Sequence, residues 1–152
     1  MVTEYDEEAI AVSPDGRWLA YESNETGRTE VFLRPFPNTN AGKWQVSNDG
    51  GVSPLWSRNG RELYYVSSTN HLKAVTVAVA AGAEPRLGEP VSLFPLGDRL
   101  YMSQSEFYTP YDVAADGRFL MARLVTPTAS AELPLIVVEG WLAELRQKLG
   151  GR

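Results

Sequence analysis

Three times along the chain an Asp-Gly or Asn-Gly pair is followed by arginine and a short apolar run. The copies are Ser13-Pro14-Asp15-Gly16-Arg17-Trp18-Leu19-Ala20-Tyr21, Ser57-Arg58-Asn59-Gly60-Arg61-Glu62-Leu63-Tyr64-Tyr65 and Ala114-Ala115-Asp116-Gly117-Arg118-Phe119-Leu120-Met121. In the first copy Pro14 presets φ at one corner, Asp15 accepts the next, and Gly16 takes the positive φ at no steric cost. A turn of this kind joins two antiparallel strands as a short hairpin. Gly16 and Gly60 are about 44 residues apart, and Gly60 and Gly117 about 57, close to the period of four-stranded repeat units. Asp15, Gly16, Asn59, Gly60, Asp116 and Gly117 are therefore structural turn residues, and their recurrence at one position argues against reading the carboxylates as a calcium site.

Between the turns the chain reads as strands. The apolar run from Trp18 shows almost no alternation, the mark of a strand covered on both faces. Val31-Phe32-Leu33 is a third strand, which Pro35 and Pro37 end and displace outward. Trp44-Gln45-Val46-Ser47 completes a set of four over residues 9–47. A second set spans 54–94, with a loop over 82–90, and a third spans 111–138. Residues 2–5 form a spare N-terminal strand. From Trp141 the spacing of Trp141, Leu142, Leu145 and Leu149 is helical, with one apolar stripe, and Gly150 and Gly151 close the helix over 141–149. The expected fold is all-β: one domain over 1–152, three four-stranded units and a short C-terminal helix.

These residues resemble the TolB-like, WD-type propeller repeat, whose mark is Ser-Pro-Asp-Gly-Arg/Lys before an apolar strand, with an aromatic-Ser pair before the turn. Ser13-Pro14-Asp15-Gly16 and Trp56-Ser57 match it, while Ala114-Ala115-Asp116-Gly117 lacks the Ser-Pro. The ending, a strand at Leu135 followed by a Trp-Leu-x-Glu-Leu helix, resembles the C-terminus of propellers attached to bacterial serine/threonine kinases. The resemblance implies a sensor or interaction module. No kinase motif occurs in this chain, so kinase activity does not carry over.

Closed propellers have about four to eight blades, and here there are three. Each open blade face measures roughly 300 Å² in projection, so an isolated wedge exposes about 600 Å² of largely apolar surface. The expected closure is a two-fold homodimer of about six blades, whose two joints bury roughly 1,300 Å². In it the strand over 2–5 of one subunit finishes the last blade of the other. The alternative is a C-terminal piece of a longer propeller protein, such as a kinase sensor domain or a TolB-like periplasmic protein.

The formal net charge of −5 and the lack of a basic run exclude a nucleic-acid partner. No stretch approaches 18 consecutive apolar residues, so no membrane-spanning helix is expected. Met1-Val2-Thr3-Glu4-Tyr5 has neither the basic start nor the apolar run of a signal peptide. The default compartment is cytoplasmic, or extracytoplasmic if the chain belongs to a longer protein. The absence of cysteine removes disulfides, thiolate metal sites and cysteine nucleophiles. His71 is the only histidine, and no Gly-x-Ser-x-Gly elbow appears. The expectation is a non-enzymatic module with no catalytic residue, cofactor or metal, against a channel-mouth hydrolase or lyase as the alternative enzyme. Its ligand surface is placed in the loops over 48–53 and 97–108, with Asp49, Arg99, Tyr101 and Glu106 facing a protein or small ligand.

Overall fold

The structure is a computed structural model and describes residues 4–80, 83–97 and 109–121. Among these residues the chain is all-β. The first sheet is an antiparallel meander of β1 (Glu7–Val12), β2 (Trp18–Ser23), β3 (Glu30–Pro35) and β4 (Trp44–Gln45). The second begins with β5 (Gly51–Trp56), β6 (Glu62–Ser67) and β7 (His71–Ala78). Two short strands then share the far edge of β7. β8 (Arg86–Leu87) pairs with Val77 and Ala78, and β9 (Val91–Pro95) pairs along His71 to Ala74. The third sheet contains β10 (Tyr111–Val113) and β11 (Phe119–Met121).

The hairpins show why the Asx-Gly sequence closes as it does. Gly16 N–H donates to Ser13 O at 2.8 Å, Gly60 N–H to Ser57 O at 2.9 Å and Gly117 N–H to Ala114 O at 3.0 Å. The three glycines have φ of 69°, 68° and 83°, in the left-handed region that a Cβ disfavours. In the first two turns the serine side chain extends the loop. Ser13 Oγ accepts Trp18 N–H and Ser57 Oγ accepts Glu62 N–H, both at 2.9 Å, and the serine N–H groups bond the carbonyls of Trp18 and Glu62. Ala114 has no hydroxyl to offer. The third turn closes one residue earlier, with Ala114 N–H bonded to Arg118 O at 2.8 Å.

Side-chain alternation distributes the strands' apolar residues between two layers. Trp18, Ala20, Val31 and Leu33 of the first sheet pack with Trp56, Leu63, Tyr65, Val75 and Val77 of the second. The opposite face of the second sheet gives Tyr64, Val66, Leu72 and Ala74 to a layer shared with Tyr111, Val113, Phe119 and Met121. The second sheet is thus covered on both sides, which is why Leu63 to Val66 of β6 run apolar without alternation. At its centre Phe119 meets Tyr64 edge-on at 4.9 Å and Phe94 at 5.7 Å.

Several expectations need correction or fall outside the description. Glu4 and Tyr5 form a bend instead of the end of a strand over 2–5, and the first strand starts at Glu7. The loop over 82–90 contains β8, because Arg86 and Leu87 reach the free edge of β7. β3 ends at Pro35 and lies third in its sheet, between β2 and the short β4. The helix over 141–149 and the part of the third unit beyond Met121 lie outside the described residues.

The turn chemistry gives a direct test. No heavy atom outside the local chain lies within 4 Å of a Cβ built on Gly16, so a side chain there suffers only from φ. Gly16→Val should cost about 1–3 kcal/mol, read as a lower thermal midpoint. An unchanged midpoint would contradict the turn assignment.

Candidate functional site

A wide cleft lies between the first two glycine turns. It has a volume of about 890 Å³, with Asp15, Arg17 and Trp18 on one side and Arg61, Glu62 and Val77 on the other. The equivalent space between the second and third turns holds only about 330 Å³. One repeat position accounts for much of that difference. Arg58 extends from the second turn to β10, where its guanidinium bonds Val113 O at 2.8 Å and pairs with Asp112 at 2.8 Å. The matching residue in the first turn is Pro14, whose ring rests near Gly60 and carries no group to reach β5.

The charges in the open groove are unequally committed. Asp15 accepts Ser13 Oγ–H at 2.6 Å and Arg17 N–H at 3.1 Å, and the serine bond foremost holds its carboxyl below the usual range. Glu62 accepts the Tyr64 hydroxyl at 2.8 Å. Arg17 and Arg61 are exposed, and among the described residues neither guanidinium has an ion pair or side-chain hydrogen bond. The groove thus holds two carboxylates and two guanidinium groups, and the guanidinium groups are the members without a hydrogen-bond partner among the described residues, beside an apolar wall of Trp18, Val77 and Val79.

The sequence placed the ligand surface at the other end of the sheets. Of its four residues only Asp49 is described, and it is occupied. Its carboxylate pairs with Lys73 Nζ at 3.0 Å, and its carbonyl accepts the Ser68 hydroxyl. It belongs to a seam between the first and second sheets. There the fully buried Glu30 accepts Arg28 Nε–H at 2.6 Å, Gly50 N–H at 3.1 Å and the Ser47 hydroxyl. Arg99, Tyr101 and Glu106 lie outside the described residues. Also at that end, Asp6, Glu8, Glu22 and Asn24 line a polar cleft of about 270 Å³. Asp6 is bonded to the Asn24 amide at 2.8 Å, and Glu22 to Ser53 N–H. Among the described residues no group of three or more His, Cys, Asp or Glu side chains is placed to hold a metal ion. His71 is tied to its own turn, with Nδ1 2.8 Å from Thr69 O.

The groove was missed because its signal is a difference between repeats. Pro14 against Arg58 shows it only once the turns are superimposed. The core tyrosines carry a similar contrast. Tyr111 donates its hydroxyl to Ser53 O at 2.7 Å, and burial pushes its pKa well above the ordinary value. Burial, with Glu62 adding to it, raises Tyr64 to about 12. Tyr65 is fully buried, and its hydroxyl has no partner among the described residues.

No family model matches the chain, and no curated protein matches it in sequence.

The tyrosine contrast is open to mutation. Tyr111→Phe leaves the buried Ser53 carbonyl without its donor and should cost about 1–3 kcal/mol. Tyr65→Phe removes an orphaned hydroxyl and should leave stability unchanged or raise it by about 1 kcal/mol. Denaturant midpoints check both, and equal losses would contradict the assigned partners.

Proposed function

We propose that the protein is a non-enzymatic binding module of β-propeller type that takes an acidic partner in the groove between its first two hairpins. The observation that carries this reading is the pair of uncommitted guanidinium groups, Arg17 and Arg61, flanking an apolar wall in the inter-turn groove that Pro14 leaves unfilled. A guanidinium binds a carboxylate through two parallel hydrogen bonds, so two of them select for repeated negative charge. Trp18 and Val77 offer apolar contact to the partner's aliphatic stems. The TolB-like repeat and the two-fold ring belong to the same reading. Three Asx-Gly hairpins, the third one residue tighter, and a second sheet packed on both faces support it.

The non-enzymatic part rests on how the reactive groups are used. Asp15, Asn59 and Asp116 each accept a backbone N–H within their own turn, from Arg17, Arg61 and Arg118. Glu30 is consumed by the seam, and His71 by its turn.

Titration with polyglutamate, followed by tryptophan fluorescence, tests the groove. Binding should weaken with salt, polylysine should not bind, and Arg17→Glu with Arg61→Glu should lower affinity tenfold or more, about 1.4 kcal/mol. Equal affinity of the folded double variant would refute the site.

A further inference from the structure

The three turns form a comparison within one chain. In the first, the buried Ser13 donates its hydroxyl to Asp15 Oδ1 at 2.6 Å, and the Arg17 guanidinium has no ion pair among the described residues. In the second, the buried Ser57 donates to Asn59 Oδ1 at 2.9 Å, and the Arg61 guanidinium has none either among those residues. The third has Ala114 in place of the serine. There Asp116 takes the arginine that follows its glycine, and Arg118 Nε–H donates to Asp116 Oδ2 at 2.7 Å. In every turn the Asx Oδ1 also accepts the arginine's backbone N–H. The turns are thus alike in the backbone contact of this side chain and differ in whether a hydroxyl or a guanidinium completes it.

Ser13 is well placed to win that competition. Its N–H bonds Trp18 O at 2.9 Å and its Oγ accepts Trp18 N–H at 2.9 Å, so the serine is already fixed when its hydroxyl meets Asp15. A fixed hydroxyl bonded to a carboxylate outweighs an ion pair between exposed groups, which loses to solvent and to side-chain entropy. The Arg118–Asp116 pair is of that exposed kind, with side chains 84% and 55% exposed. The carboxyl groups show the same division. Both are held below the usual range. For Asp15 the Ser13 hydroxyl comes foremost and the Arg17 charge is a lesser cause, whereas for Asp116 the causes are the backbone N–H and the guanidinium of Arg118.

We infer that Ser13 is a positioning residue of the groove: its hydroxyl holds the Asp15 carboxylate off the Arg17 guanidinium and so keeps that cation available to an acidic partner. Ser13 acts through Asp15 and needs no contact of its own with the partner. Asn59 reaches the same end in the second turn by having no charge to offer Arg61. The first groove thus has an unpaired arginine on each flank, whereas Arg118 is spent within its own turn. The inference deepens the proposed reading of the groove and rests on it for the ligand, while the control of Arg17 by Ser13 stands without it.

Two measurements on the full 152-residue chain test it. In NMR spectra the Nε–H of Arg118 should exchange with water more slowly than that of Arg17. Ser13→Ala should slow Arg17 to the Arg118 rate, adding Asp15→Asn should restore it, and Ser13→Thr, which keeps a hydroxyl, should leave it fast. In the polyglutamate titration Ser13→Ala should weaken binding about two- to fivefold, the worth of one exposed ion pair. The same change made in an Asp15→Asn chain should have no effect, whereas a merely structural role for Ser13 would cost the same in both backgrounds. An Arg17 signal that stays fast in Ser13→Ala would overturn the inference, as would equal weakening with and without Asp15. Should Ser13→Ala unfold the chain, Ala114→Ser makes the reverse test: the added hydroxyl should release Arg118 to the faster rate, and an unmoved Arg118 signal would overturn the inference. Failure of the unmodified chain to bind polyglutamate would refute the groove reading, and the exchange measurement, which uses no ligand, would still decide whether Ser13 governs Arg17.

Discussion

The apolar layer between the first and second sheets is the contact on which the rest of the structure depends. Trp56, Leu63 and Tyr65 enter it from one side and Trp18, Ala20 and Leu33 from the other. None of these strands has a polar face to give to water in exchange. β2 and β6 are buried at nearly every residue, so each sheet is stable only between neighbours. Polar groups at the rim then fix how the sheets meet. The Trp56 indole N–H bonds Ala11 O, Glu22 bonds Ser53 N–H, and Glu30 holds the connection through Gly50 and Ser47. Gly51 shows how close that approach is: a Cβ there would lie 2.5 Å from Ser47 Oγ and 3.1 Å from Tyr65 Cδ2.

Given that frame, the differences between repeats are more informative than their likeness. Pro14 leaves a groove open where Arg58 closes the next one. Ala114 shortens the third turn by a residue because it lacks the hydroxyl that Ser13 and Ser57 use. A repeat sets the scaffold, and the open groove arises where one copy departs from it. The groove arginines sit one residue after Gly16 and Gly60, so they are part of the repeat themselves. Neither guanidinium forms an ion pair there, since Asp15 and Glu62 face the hydroxyls of Ser13 and Tyr64.

Local signals in the chain made the three hairpins, the strands between them and the aromatic core legible. An Asx-Gly pair followed by arginine specifies its turn within a few residues, and an unbroken apolar run specifies double coverage. The interactions that escaped notice are long-range. Glu30 reads as an ordinary strand-start charge, and nothing nearby in sequence reveals that Ser47 and Gly50 enclose it. Arg86-Leu87 is too short to read as a strand and becomes one only because the edge of β7 is vacant there. Asp49 has the composition of a ligand-binding loop residue, yet Lys73, distant in sequence, neutralises it. The groove, at the turn end of the sheets, is the reverse case, with ordinary turn residues lining a cleft only because of their spatial neighbours.

The most direct measurement of the stacking is hydrogen exchange at the Trp56 indole, observed by NMR. That N–H lies in the first joint and donates to Ala11 O. If the sheets pack as described, it opens only with the core, and its exchange is slowed by orders of magnitude alongside the amides of β6. Exchange at the rate of a free indole, while the β6 amides stay protected, would show that the first and second sheets do not meet through this layer and would contradict the account.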